Sequence, residues 1–97
     1  MVVGVVRLVI ETAECQSLKD KRRIVRPIVA RLRRELRLSA AEVEDMDAWE
    51  HAVVGVACVG NDVRHVQGLL SSAVSFVERT WPEHPLADVS TEVVHVL

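Results

Sequence analysis

Residues 49–62 read WEHAVVGVACVGND, and this stretch decides the fold. Trp49 to Val59 is rich in valine and has no interior proline, the composition of a strand. Gly60 and Asn61 stop it, and Asn61 is placed to cap the helix that follows. Side chains alternate across a strand, so the two faces separate. Val54, Val56 and Cys58 form the bulkier set and are expected to point into a core. Val53, Gly55, Ala57 and Val59 form the smaller set and are expected to point away from it. A strand with one bulky and one small apolar face belongs inside a sheet that is covered on one side.

Downstream, Asp62 to Arg79 repeats apolar residues at helical spacing: Val63, Val66, Leu69, Leu70, Ala73, Val74, Phe76 and Val77 share one arc. Trp81 to Pro85 (WPEHP) is a proline-punctuated loop, and Asp88 to Val96 reads as a final strand. Upstream, the acidic stretch Asp45 to Glu50 makes a turn, and Leu38 to Glu44 reads as an edge strand blunted by charge. Leu18 to Arg37 is a helix whose apolar arc holds Leu18, Ile24, Val25, Ile28, Val29, Leu32 and Leu36. Ser17 caps it, with Asp20 three places on as an acidic variant of the capping box. Pro27 lies inside this helix and cannot donate to Arg23, so a kink or local distortion is expected there. Val2 to Glu11 is a valine-rich strand apolar on both alternating sets, suited to a central position.

The order β-α-β-β-α-β is the split βαβ arrangement of the ferredoxin-like type, an α+β fold. Right-handed crossovers place both helices on one face of a four-stranded antiparallel sheet. On the other face the alternation puts Val3, Val5, Arg7 and Val9 beside Val53, Gly55, Ala57 and Val59. An apolar, small-residue face around one arginine reads as a partner surface, with a second copy of the chain as one occupant. The bland account is a mildly apolar monomer surface, which is common.

The chain has 97 residues, 49% hydrophobic and 3% aromatic, with a formal charge of −2. This length fits one ferredoxin-like domain over residues 1–97. High apolar content with low net charge argues against disorder. Sparse glycine and the lack of a heptad seam argue against collagen and coiled coil. Two cysteines, Cys15 and Cys58, are too few and too distant for a disulfide scaffold. The opening apolar run carries no secretory-signal pattern and is too short to span a bilayer. A cytoplasmic location, free thiols and no membrane partner are therefore expected.

The charge of −2 is a cancellation. The segment from Lys19 to Arg37 holds nine of the twelve Lys and Arg residues and only two acids, and sums to +7; the remainder sums to −9. Lys19, Lys21, Arg22, Arg23, Arg26, Arg33, Arg34 and Arg37 are the candidate phosphate contacts. The usual account of such a run is a solvated helix face. Against it, Lys19, Lys21, Arg22 and Arg23 crowd the helix N-terminus, where each cation opposes the macrodipole at about 0.3–1 kcal/mol. Phosphate binding would explain them. So would pairing with the acidic block Glu42–Glu50, within the chain or between chains. With no aromatic residue inside a strand, base stacking on the sheet is disfavoured, and contact with nucleic acid would follow backbone and shape.

No other constellation points to chemistry. Cys15 stands before a helix N-terminus near Lys19, an arrangement that lowers a thiol pKa, but no histidine is placed to serve it, and an ordinary loop cysteine is the simpler account. His51, His65, His84 and His95 lack ligand spacing, and Cys15 has no Cys-x-x-Cys partner, so no metal is expected. Gly4, Gly55, Gly60 and Gly68 form no phosphate loop. No cofactor and no enzymatic activity are expected.

SLKDKRRIVRP (residues 17–27), AEVEDMDAWEHAVVGVACVGND (residues 41–62) and the opening MVVGVVRLVIE resemble the YlxP-like family of small uncharacterised bacterial proteins. The resemblance covers nearly the whole length and includes the element order. It implies a ferredoxin-like fold of unknown function. In many bacteria the family's gene sits among genes for translation initiation and ribosome maturation factors, which implies a ribosomal or RNA-related role. Pro27 and the WPEHP loop depart from the family pattern. The resemblance carries over no catalytic residue. Together these readings give a non-enzymatic cytoplasmic binding protein of RNA or ribosomal particles, with a homodimeric interaction module as the alternative and a small-ligand domain behind both.

Overall fold

The computed structural model describes residues 1–97. Six elements follow in order: β1 (Val2–Glu11), α1 (Leu18–Glu35), β2 (Ser39–Glu44), β3 (His51–Gly60), α2 (Val63–Thr80) and β4 (Leu86–His95). The four strands form one antiparallel sheet in the order β2-β3-β1-β4. This is the ferredoxin-like α+β fold that the element order implies. The valine-rich β1 is central, paired with β3 along its whole length and with β4 on its other side.

The core lies between the sheet and the two helices. Val2, Val6, Leu8 and Ile10 of β1 and Ala52, Val54 and Val56 of β3 are buried against Val25, Ile28 and Leu32 of α1 and Val66, Leu70, Ala73, Phe76 and Val77 of α2. Two glycines set the distance of α2 from the sheet. A Cβ on Gly4 would stand 2.9 Å from Leu70 Cδ1 and closer still to Val66, and one on Gly60 would stand 2.8 Å from Val66 Cγ2. Such separations are well inside van der Waals contact, so α2 rests on bare backbone at these two points. α1 packs on β2 and β3, while α2 packs on β3, β1 and β4. Val89, on the helix side of β4, is left exposed.

The caps show where local chemistry overrides pattern. Ser17 caps α1 by accepting from the Asp20 N–H at 3.1 Å, and the Asp20 carboxylate accepts from the Gln16 N–H at 3.1 Å. α1 runs through Pro27 without a break, with Pro27 on its exposed side. It ends at Glu35 rather than Arg37, because Arg37 turns into the left-handed region at φ 56° and redirects the chain into β2. The cap of α2 is Asp62, not Asn61: its carboxylate accepts from the Arg64 N–H at 3.2 Å. β3 begins at His51 rather than Trp49. The carbonyls of Trp49 and Glu50 are drawn to Thr12 instead, accepting from its hydroxyl and its N–H, each at 2.9 Å.

Candidate nucleic-acid interface and the open sheet face

α1 distributes its cations on two sides. Lys19, Arg22, Arg23, Arg26, Arg34 and Arg37 are exposed on one surface of the helix and the residues just after it. Lys19, Arg22, Arg23, Arg26 and Arg37 have no carboxylate within salt-bridge distance; Arg34 has only Glu35, at 3.8 Å. Arg33 is partly engaged, with Nε donating to the Ala40 carbonyl at 2.8 Å and tying the end of α1 to β2. Arg31 is engaged differently: it pairs with Glu35 and lies 5.3 Å from the ring centroids of both Phe76 and Trp81. Trp81 meets Phe76 edge to face, so it closes the end of the core and offers no stacking platform.

Lys21 does not belong with the phosphate contacts. It is 1% exposed. Its ammonium sits 2.9 Å from Glu42 Oε2 and donates to the carbonyls of Asp45 at 3.1 Å, Met46 at 3.3 Å and His51 at 3.5 Å. The sequence holds the signal for this. Lys21, Val25, Ile28 and Leu32 recur at i, i+4, i+7 and i+11, so Lys21 occupies the middle of the buried arc. The oxygens around it come from the end of β2 (Glu42), the start of β3 (His51) and the turn between them, where Asp45 adopts φ 52°, a conformation aspartate tolerates better than most residues.

The other acids of the block do not reach α1: two of them pair elsewhere, and Asp47 and Glu50 pair with no cation. Glu44 stands 3.4 Å from Arg7, and Asp45 stands 2.9 Å from His51 Nε2. The block therefore pairs with the basic helix through Lys21 alone, and Lys19, Arg22, Arg23, Arg26 and Arg37 keep their charge unmatched.

The strand register fixes the composition of the open face. Val3, Val5, Arg7 and Val9 of β1 lie opposite Val59, Ala57, Gly55 and Val53 of β3, and opposite Val94, Glu92, Ser90 and Asp88 of β4. Ser39 and Ala41 of β2 complete the rows at Ala57 and Gly55. Val43, two residues beyond Ala41, lies on this face by alternation and would touch a Cβ on Gly55 at 3.0 Å, while a bulge between Glu42 and Glu44 brings Glu44 opposite Val53 on the same face. Val53 departs from the expectation of an exposed interface residue. It is 2% exposed, because it lies beside this bulge where β2 crowds the face. Val59, by contrast, is 63% exposed, and Val5, Val43 and Val94 are also exposed. Between them Ala41, Gly55 and Ala57 floor a trough of about 570 Å³. Arg7 stands beside it, 3.4 Å from Glu44 and 4.0 Å from Asp88. Glu92, on the same face, has no cation.

Cys15 is buried, 4% exposed. Burial first, then the nearby Glu14 and Asp20, push its thiol pKa up, against a smaller opposite effect of Lys21. This reverses the lowered value that its position before a helix suggests, because removal from water outweighs the nearby charge. Burial likewise pushes up the Cys58 thiol. No three His, Cys, Asp or Glu side chains converge as metal ligands would. No helix is long and apolar enough to cross a membrane.

The fold and these surfaces define a small ferredoxin-like α+β domain with a cationic helix on one layer and an apolar open sheet on the other. Residues 3–91 match the family described as a protein of unknown function, DUF503, and the chain belongs to that family. Among curated proteins it is similar to the uncharacterized protein YlxP of Bacillus subtilis, 27% identical over 78 residues that cover 73% of this chain and 84% of that protein. Among solved structures it is similar to a de novo designed protein with a ferredoxin fold, at TM-score 0.61 and 10% identity over 100% of this chain and 88% of that one. A second designed protein, Foldit4, aligns at TM-score 0.52 and 15% identity over 99% and 98% of the two chains. These two likenesses concern the fold alone.

Proposed function

We propose that the chain is a non-enzymatic RNA-binding protein whose exposed α1 cations contact the phosphates of structured RNA, with ribosomal particles as the target class. One observation carries this reading: Lys19, Arg22, Arg23, Arg26 and Arg37 are exposed and have no carboxylate partner, although an acidic block lies in the same chain. Like charges gathered along one helix repel one another and, near its N-terminus, oppose the helix dipole. A polyanion relieves both effects and releases counterions as it binds.

The test is binding to a structured RNA across a salt series, with the Arg22→Ala/Arg23→Ala/Arg26→Ala variant beside the wild type. With Lys19, Arg22, Arg23, Arg26, Arg34 and Arg37 each neutralising one phosphate, log K should fall against log salt with a slope of about −4 to −5. The triple variant should lose about 2–3 of that slope. No binding by the wild type at low salt, or an unchanged slope in the variant, refutes the reading. A second reading, self-association through the open sheet face, is favoured by the exposed Val5, Val59 and Val94. It is compatible with the first, because α1 lies on the opposite layer.

A further inference from the structure

We infer that the open face pairs with a second copy of the chain about a single two-fold axis, with Arg7 of each copy meeting Glu92 of the other. This rests on the self-association reading and specifies its geometry.

Three features lead there. The first is charge. Arg7 reaches its two acids only at 3.4 and 4.0 Å, longer than the 2.7–2.9 Å typical of charge-assisted hydrogen bonds, and Glu92 on the neighbouring strand has no cation. A two-fold axis that brings Arg7 to Glu92 of the second copy brings Glu92 to that copy's Arg7, so one operation satisfies both groups twice.

The second is shape. The register places the face on a lattice of about 4.8 Å between strands and about 3.4 Å per residue. On that lattice an axis midway between Arg7 and Glu92 carries the row Val59, Val3 and Val94 onto Ser39, Ala41 and Gly55 of the second copy. The valine ridge of each copy thus enters the small-residue trough of the other, and Val5 packs close to its own equivalent. The same operation carries Glu44 and Asp88 past the edge of the opposing sheet into solvent, so no carboxylate is trapped without a cation. The strands of the two copies cross at roughly 70°, nearer the orthogonal than the aligned class of sheet packing.

The third is area. Four strands about 4.8 Å apart make a ribbon roughly 19 Å wide, and two such ribbons crossed at roughly 70° overlap over roughly 400 Å². That is about half the ~800 Å² per partner of a standard interface, the size of a weak, concentration-dependent dimer. The face also carries more acid than base, which sets it against a nucleic acid.

The experiment is sedimentation of the full chain over a concentration series, with Arg7→Glu, Glu92→Arg and the double exchange, each checked for native circular dichroism. The wild type should dimerise. Each single reversal should weaken dimerisation at least tenfold, and the double exchange should recover most of that loss. A wild type monomeric at all concentrations overturns the self-association reading and the pairing together. A polylysine probe bound by that monomer and released by Glu92→Arg would identify a basic partner instead. A dimer that survives both single reversals, or that the double exchange fails to restore, overturns the pairing and leaves self-association standing.

Discussion

Replacing Lys21 by methionine tests whether one buried ammonium holds the β2–β3 turn. Methionine keeps the length and much of the volume of the side chain, so it removes the charge without opening a cavity. The carboxylate of Glu42 then loses its cation at 2.9 Å, and the carbonyls of Asp45, Met46 and His51 lose a shared donor. Breaking one partner out of a buried ion pair costs about 3–5 kcal/mol. Two features place this case at the lower end. The Glu42 side chain is 20% exposed, and Asp45 and Met46 lie at the surface, so water takes up part of the lost coordination. The expected cost is about 3 kcal/mol, a large fraction of the ~5–15 kcal/mol that holds a domain together. In urea unfolding followed by far-ultraviolet circular dichroism this lowers the midpoint by about 1–3 M. Lys21→Met/Glu42→Gln should be more stable than Lys21→Met, because the stranded charge is gone; the coupling should be about 1–3 kcal/mol. A loss below about 1 kcal/mol for Lys21→Met, or a double variant no better than the single, refutes the argument.

Two further outcomes follow from other contacts. Gly4→Ala places a methyl group against Val66 and Leu70, so α2 has to move off the sheet, and thermal unfolding should show a loss of about 1–3 kcal/mol. Glu35 is held below the ordinary carboxylate range, chiefly by its hydrogen bond from Arg31. A folded pKa below the unfolded one gives a contribution present above the unfolded value and lost as pH falls through the folded value. Stability measured from pH 7 down to pH 3 should therefore fall less steeply in Glu35→Gln than in the wild type, and equal slopes would count against the Arg31 pair.

The strands and helices were legible because their side-chain periods are strong. Valines on both sets of β1 announced a central strand, and the sheet places it between β3 and β4. The ends of elements were less so, since a boundary is a competition between neighbouring donors and acceptors. Asn61 and Asp62 both suit a cap, and only the backbone path decides for Asp62. Trp49 and Glu50 look like strand residues, yet Thr12, far away in sequence, takes their carbonyls. The basic helix was legible as a surface but not residue by residue. A lysine in a basic run reads as exposed by residue type; its helical position says otherwise, and the turn that receives its ammonium lies more than twenty residues away. Val53 is hidden from the sequence for a related reason, since alternation assigns its face correctly but cannot show that a bulge on the next strand crowds it.

The ring of oxygens around Lys21 has the make-up of a small cation site: one carboxylate and three main-chain carbonyls. Its cation is tethered by a lysine stem and so cannot diffuse away. Occupancy is fixed by covalent connectivity at one per chain, and the order of the turn does not vary with the supply of any ion. The chain made before Lys21 has no such cation, and the oxygens that receive it are made only afterwards. During synthesis the charge therefore waits for its site, and α1 can gain its inner anchor only once residues 42–51 have emerged.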